Sequence, residues 1–338
     1  MRNWLLIGLV TISGFFSKKI EATTGIDLLA NPKFANFIEA FEKISRASAT
    51  ISLDEGRRLS TEFFLPNDVV REDIKRIEDV EISGKDENPI KIRFFIPDDE
   101  KVLPVFIYFH RGGWVFGNVE EADPVCRKLA NHLGCIIASV EYRLAPENPF
   151  PKPLEDCYAA TEWIVKNSAR FGGDADQIIV GGESAGGNLA GAVCLKARNE
   201  NGPKITAEVL IYPVITSSLD EKVYENSVDQ FFLTKEAMKF FWSVYLSNLE
   251  NRSNPYASLD CAELNGLPPT LIITAEYDPL KYEAENYSRQ LRDAGVHVVS
   301  SCFPEVIHGF LDIPIYEEFQ KIDWIQRIKE LLVETMKN

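Results

Sequence analysis

Residues 177–188, QIIVGGESAGGN, constrain this chain more than any other stretch. The run Ile178-Ile179-Val180-Gly181 suits a buried strand, and helix-compatible residues follow Gly186. Between them stands Gly182-Glu183-Ser184-Ala185-Gly186, a G-x-S-x-G pattern at a strand-to-helix turn. Such a turn forces Ser184 into an unfavourable backbone region and leaves no room for side chains at 182 and 186, hence the two glycines. It lifts the Ser184 hydroxyl above the sheet, over the positive end of the following helix, where a developing anion is favoured. An ordinary Gly-rich β–α turn can read the same way, so the remainder of the chain has to decide.

That remainder reads as alternating strands and helices. Alternation predicts strands over 77–82 and 90–96 as an antiparallel pair, since a turn at 85–89 joins them. Continuous apolar runs predict buried strands over 105–109, 135–140, 178–181, 209–212, 271–274 and 296–302. Helical spacing fills the gaps at 123–133, 154–168, 185–198, 282–294 and 315–337. The pattern implies an α/β class with a mostly parallel central sheet covered by helices on both faces. Two amphipathic segments, 27–45 and 52–64, precede every strand and form an N-terminal attachment. The stretch between Tyr212 and Leu271 is too long for a plain connection. With its helical patch at 234–246 it reads as an inserted lid over about 216–265.

Charge and cysteines narrow the function. The net charge of −15 repels nucleic acid and anionic membranes, so a neutral or cationic small molecule is the expected partner. The six cysteines form no C-x-x-C pair and no zinc spacing; most fall in apolar patterns and are expected as core thiols, with no metal and no cofactor. At the N-terminus a basic start is followed by an apolar run of 13 residues, Trp4 to Phe16, too short to span a bilayer. With Ile20-Glu21-Ala22 as a cleavage site, residues 1–22 read as a signal peptide and the mature chain as secreted or periplasmic. A docked helix or short anchor, in a cytoplasmic protein, is the alternative.

A serine nucleophile needs a base, an acid that orients the base, and an oxyanion hole. Of the four histidines, His132 lies on a predicted helix and His297 in a predicted buried strand, both structural positions. His110 ends a strand before two glycines and suits a loop role. His308 follows the last strand and precedes Gly309, which makes it the candidate base. Asp278 stands just beyond the carboxyl end of the 271–274 strand, where sites in open α/β sheets gather. Glu276, Glu283 and Asp312 compete with it on composition alone. Gly112 and Gly113, at the exit of the 105–109 strand, can bring bare N–H groups to a substrate oxygen together with Ala185. Trp114, Phe116, Tyr212, Phe231, Phe232 and Phe310 are candidates either for an apolar acyl pocket or for the core.

His110-Arg111-Gly112-Gly113-Trp114, Tyr142-Arg143-Leu144-Ala145-Pro146-Glu147, Gly182-Glu183-Ser184-Ala185-Gly186-Gly187, Asp278-Pro279-Leu280 and His308-Gly309-Phe310 occur in this order. From about residue 77 to the C-terminus the chain resembles the hormone-sensitive-lipase-like esterases, bacterial family IV of the α/β-hydrolases. The resemblance implies nucleophile Ser184, acid Asp278, base His308, oxyanion donors Gly112, Gly113 and Ala185, no cofactor, and a cap made of residues 23–75 and the insertion on a core spanning 76–338. It departs from the family in three places. Arg111 replaces the first glycine of His-Gly-Gly-Gly, Glu183 stands where Asp is usual, and Lys281-Tyr282 follow the Asp-Pro-Leu. Arg111 would attract a substrate carboxylate if its side chain faced the cavity.

The implied function is a carboxylesterase-type serine hydrolase acting on short- to medium-chain acyl esters through an acyl-enzyme. A small-molecule ester is its expected partner, with neither nucleic acid nor a stable membrane span, and a homodimer as one assembly. The rivals are a non-catalytic receptor on the same fold and an amide or acetyl hydrolase.

Overall fold

A computed structural model describes residues 52–66, 69–219, 233–312 and 324–337. The predicted signal segment, the helix predicted over 27–45, and Phe231 and Phe232 lie outside the described residues. In chain order the elements are α1 (Leu53–Phe64), β1 (Arg76–Ser83), β2 (Pro89–Ile96), β3 (Leu103–Phe109), α2 (Asp123–Leu133), β4 (Ile136–Glu141), α3 (Lys152–Asn167), β5 (Gly173–Glu183) and α4 (Ala185–Asn199). Then follow β6 (Ala207–Ile211), α5 (Lys235–Tyr245), β7 (Thr270–Tyr277), α6 (Lys281–Asp293), β8 (Val298–Ile307) and α7 (Trp324–Thr335).

The strands form one sheet in the order β1-β2-β4-β3-β5-β6-β7-β8. β2 runs antiparallel to both β1 and β4, and every later pairing is parallel. The two-residue period of a strand divides the core between the two faces. Val105, Ile107 and Phe109 of β3 join α3, α4 and α5 on one side, while Phe106 and Tyr108 join α2 and α7 on the other. Full burial of each large aliphatic side chain contributes about 1.5–3 kcal/mol, which is why these strands read as unbroken apolar runs.

Local signals explain the helix ends. Ser52 caps α1 by accepting from Glu55 N at 3.2 Å. Gly134, at φ 69°, closes α2 in the left-handed conformation that glycine adopts without strain. α1 buries none of its side chains fully and is held by polar contacts instead.

Two expectations need correction. β8 runs from Val298 to Ile307, beyond the predicted 296–302, because its pairing with β7 continues past an irregularity to Tyr277↔Ile307. His297 therefore precedes the strand and is only partly buried; its carbonyl accepts from Thr270 N at 2.9 Å. Cys126, Cys135, Cys157 and Cys194 are buried free thiols as expected, but Cys261 and Cys302 are exposed.

The parallel register brings Phe109 beside Gly182, Glu183 beside Ile211, and Ile211 beside Ile273. The carboxyl ends of these four strands thus meet at one edge of the sheet, and the loops leaving them share one space.

Candidate active site

Ser184 sits at the turn between β5 and α4 with φ 54° and ψ −117°, a conformation that costs a non-glycine residue of order 1–3 kcal/mol. The flanking glycines are steric requirements. A Cβ on Gly182 would lie 2.4 Å from Phe109 O, and one on Gly186 would lie 2.0 Å from the same oxygen. The strained turn is pinned on both sides, by Ser184 N donating to Ile211 O (2.9 Å) and by Val214 N donating to Ser184 O (3.1 Å). Asn188, one turn into α4, donates through Nδ2 to Val214 O (3.0 Å) and Ala257 O (2.9 Å), tying the β6 exit loop to the elbow.

His308 stands directly after β8, and Gly309 at φ 81° turns the chain away behind it. His308 Nε2 lies 2.9 Å from Ser184 Oγ, and Nδ1 lies 2.7 Å from Asp278 Oδ2. The three are buried, at 7%, 5% and 0% exposure for Ser184, His308 and Asp278. Because a carboxylate only accepts, Nδ1–H donates to Asp278, leaving Nε2 free to accept the Ser184 hydroxyl proton. The other Asp278 oxygen accepts from Leu280 N at 2.9 Å, which fixes the carboxylate plane.

The competing acids have other partners. Glu283 accepts from Ile215 N at 2.7 Å; the residue is partly exposed, yet its carboxyl is desolvated enough to be pushed up to about 8. Lys281 Nζ binds the Glu276 carbonyl, and Asp312 takes Arg111 Nε.

Gly112 and Gly113 have φ of 120° and 60°, and Gly112 O accepts from Val115 N (3.1 Å) and Phe116 N (2.9 Å). A Cβ on Gly112 would lie 2.1 Å from Phe116 O, so the tight loop admits only glycine there. Ala185 N–H is one of the orphan donors at the start of α4. His110 is buried, and desolvation lowers its pKa to about 4, which keeps the ring neutral. It stacks on Tyr142 with centroids 4.2 Å apart, and Tyr142 Oη donates to His110 O at 2.8 Å.

The motif that begins at Tyr142 supports this loop, a role the sequence did not disclose. Ala145 N donates to Trp114 O (2.8 Å), while Arg57 of α1 donates to Val115 O (2.9 Å) and Ala145 O (3.0 Å) and pairs with Glu147. Arg143 is anchored on buried Asp156 through its backbone N, Nε and Nη2, at 2.8–2.9 Å. Asn188, Tyr142, Arg143 and Glu283 thus join the candidate residues. The Tyr-Arg-Leu-Ala-Pro-Glu run had marked Tyr142 and Arg143, and Glu283 had stood only as a competing acid.

The aromatics expected to line an acyl pocket are largely core. Trp114, Tyr212 and Phe310 are at most 1% exposed. Trp114 stacks on Tyr245 at 4.1 Å, Tyr212 meets His308 edge-on at 5.0 Å, and Phe310 packs against Phe303 and Trp324. Flat rings beside a site back its loops when apolar neighbours cover both faces. Phe116 is partly buried and meets Phe241 of α5 edge to face at 6.1 Å. Arg111 is turned inward, onto Asp312 and the Phe64 ring.

Known proteins place this architecture. A family profile described as alpha/beta hydrolase fold matches residues 106–312. A carboxylesterase of Mycobacterium tuberculosis is 35% identical over 246 residues, covering 71% of this chain and 77% of the relative. The ethyl acetate hydrolase of Pseudomonas putida is 29% identical over 293 residues, covering 83% and 92%. The solved structure of a Pyrobaculum calidifontis esterase superposes with a TM-score of 0.78 at 37% identity, covering 85% of this chain and 94% of that one. The chain belongs to the α/β-hydrolase fold family, within its hormone-sensitive-lipase-like branch of esterases.

Proposed function

We propose that this protein hydrolyses short- to medium-chain acyl esters through an acyl-enzyme on Ser184. The observation that carries the reading is the continuous hydrogen-bonded line Ser184 Oγ–His308 Nε2 and His308 Nδ1–Asp278 Oδ2, at 2.9 and 2.7 Å. In the first half-reaction Ser184 Oγ attacks the ester carbonyl as His308 Nε2 takes its proton. The carbonyl oxygen becomes an anion facing the N–H groups of Gly112, Gly113 and Ala185. Asp278 stabilises the imidazolium and holds its tautomer. His308 then hands the proton to the departing alcohol, leaving acyl-Ser184. Water, deprotonated by His308, attacks the acyl carbon; the bond from that carbon to Ser184 Oγ breaks as His308 returns the proton to Oγ, and the acid leaves.

The names of the relatives support the ester class, and ethyl acetate hydrolase supports the short-chain end of the range. A cap made of α1 and the segment around α5 would bound the acyl pocket. Phe241, which packs on Gly113, would stand as its wall.

Purified protein assayed on 4-nitrophenyl esters of graded acyl length, beside a matched anilide, tests the reading. Efficiency rising and then falling with chain length, absent in Ser184→Ala and with the anilide spared, is the expected result. Turnover that survives Ser184→Ala, or an anilide cleaved as fast as the ester, would overturn it.

A further inference from the structure

The three loops that meet at Ser184 meet a second time beneath it. Arg111 immediately precedes Gly112, Glu183 immediately precedes Ser184, and Asp312 lies four residues after His308. Their side chains are more than nine-tenths buried. Arg111 Nε donates to Asp312 Oδ2, and the Asp312 carboxylate shares a hydrogen bond with Glu183. Tyr108 Oη and Tyr212 Oη both donate to Glu183. On its far side the guanidinium reaches Glu121 Oε2 at 3.5 Å and lies 3.2 Å beneath the Phe64 ring. Burial and the neighbouring Asp312 charge hold the Glu183 carboxyl well above the usual range. Arg111 supplies the positive charge that these two neighbouring carboxyls need.

We propose that Arg111 is a positioning residue: through Asp312 and Glu183 it locks the oxyanion loop to the nucleophile elbow and to the loop of His308. This deepens the esterase reading above and rests on it. Oxyanion donors act only when held within a few tenths of an ångström of the place where charge develops. Gly112 and Gly113 contribute no side chain that could fix them, so neighbours have to, and Arg111 adds to the hold of Arg57 and Tyr142. Arginine suits the task because its fork is planar and permanently charged, and it can address Asp312, Glu121 and a ring face together. A lysine offers a point charge on a flexible stem and cannot hold all three. With its side chain only 9% exposed, the guanidinium faces these partners rather than open solvent.

The test uses Arg111→Met, Arg111→Lys, Asp312→Asn and the Arg111→Met/Asp312→Asn pair, assayed on a short-chain 4-nitrophenyl ester and on an ester of similar size bearing a carboxylate. Folding is checked by circular dichroism and thermal unfolding. Arg111→Met should lower kcat about 10- to 100-fold with KM changed less than about threefold, because the lost contacts serve the transition state. Arg111→Lys should recover only part of kcat. The double variant should lose less than the product of the two single losses, and both esters should suffer alike. An unchanged kcat in folded Arg111→Met overturns the inference, as does a rise in KM alone or a loss confined to the carboxylate-bearing ester. If Arg111→Met does not fold, an unchanged kcat in folded Arg111→Lys and Asp312→Asn overturns it equally. Ser184→Ala separates the two readings. Ester turnover by the wild type that Ser184→Ala abolishes and Arg111→Met spares defeats only the positioning role, whereas a wild type inactive on every ester defeats the esterase reading itself.

Discussion

The ring of Phe241 rests against the α-carbon of Gly113 so closely that a Cβ built there would come within 2.4 Å of it. An aromatic side chain from α5, more than a hundred residues away in sequence, thereby presses on one proposed oxyanion donor and leaves no alternative to glycine.

Two substitutions at this contact should behave oppositely. Gly113→Ala meets both the ring and a φ of 60°, and should reduce kcat about 100-fold or more. Phe241→Ala removes a wall and should move the acyl-length optimum upward, since each additional buried CH₂ contributes about 0.8 kcal/mol until the chain meets the pocket's end. Rate profiles over graded acyl esters check both; an unmoved optimum in Phe241→Ala argues against a cap wall at this position.

Ser184→Ala and His308→Ala should each lose about 10⁴-fold or more in kcat while remaining folded. Asp278→Asn should lose nearly as much, because the amide cannot hold the imidazole in the required tautomer. Glu276→Gln should stay within about threefold of wild type. Comparable losses in Glu276→Gln and Asp278→Asn would mean that the acid is misassigned.

Stability should fall as pH rises through a window set by Glu208. This residue is fully buried beneath α4, accepts from Thr270 Oγ1 at 2.8 Å, and is pushed up from 4.5 to about 7 by desolvation. A carboxyl whose folded value is raised binds its proton more tightly in the native state. Its contribution is therefore complete below pH 4.5 and lost as pH climbs to about 7. Glu208→Gln, which cannot ionise, should flatten that decline by about 1–3 kcal/mol. Denaturant unfolding of both proteins from pH 4.5 to 8 measures it, and identical slopes would contradict the assignment.

Asp156→Ala should destabilise the fold by about 2–3 kcal/mol, since it leaves the Arg143 guanidinium with Asp86 alone and also removes the acceptor of Asn88 Nδ2. Because Arg143 carries the loop that supports Trp114 and Val115, the activity of the folded fraction should drop as well. Chemical denaturation alongside active-site titration distinguishes the two effects.

The parts of the site legible in the sequence were those fixed by local geometry. Gly182 and Gly186 are demanded by the elbow itself, Ser184 and Asp278 follow strands whose apolar runs were plain, and His308 stands before a turning glycine although the end of β8 was not legible. Support from distant segments was not legible. Arg111 and Asp312 are 201 residues apart, and nothing local shows that they share a buried pair. A signal existed nonetheless: an arginine wedged between a strand end and two glycines has no room at the surface, and a buried guanidinium must find a carboxylate. Trp114, Tyr212 and Phe310 misled for the opposite reason. Proximity to the motifs suggested contact with substrate, whereas layers of rings and aliphatics enclose them. The edge strand β1 shows the same limit, because its alternation set the pairing with β2 correctly while giving no measure of how exposed it would be.

α1 grips the oxyanion loop through Arg57 and covers Arg111 with Phe64, yet buries none of its own side chains fully. A segment with so few apolar anchors detaches at a much smaller free energy than the sheet and forms a cooperative unit of its own. Amide hydrogens of α1, and those of residues 112–116 that lean on it, will therefore exchange with solvent through openings that leave β3 and β5 protected. The loop that must be most exactingly placed for catalysis is tied to the least firmly seated helix, so local unfolding reaches the active centre long before it reaches the core.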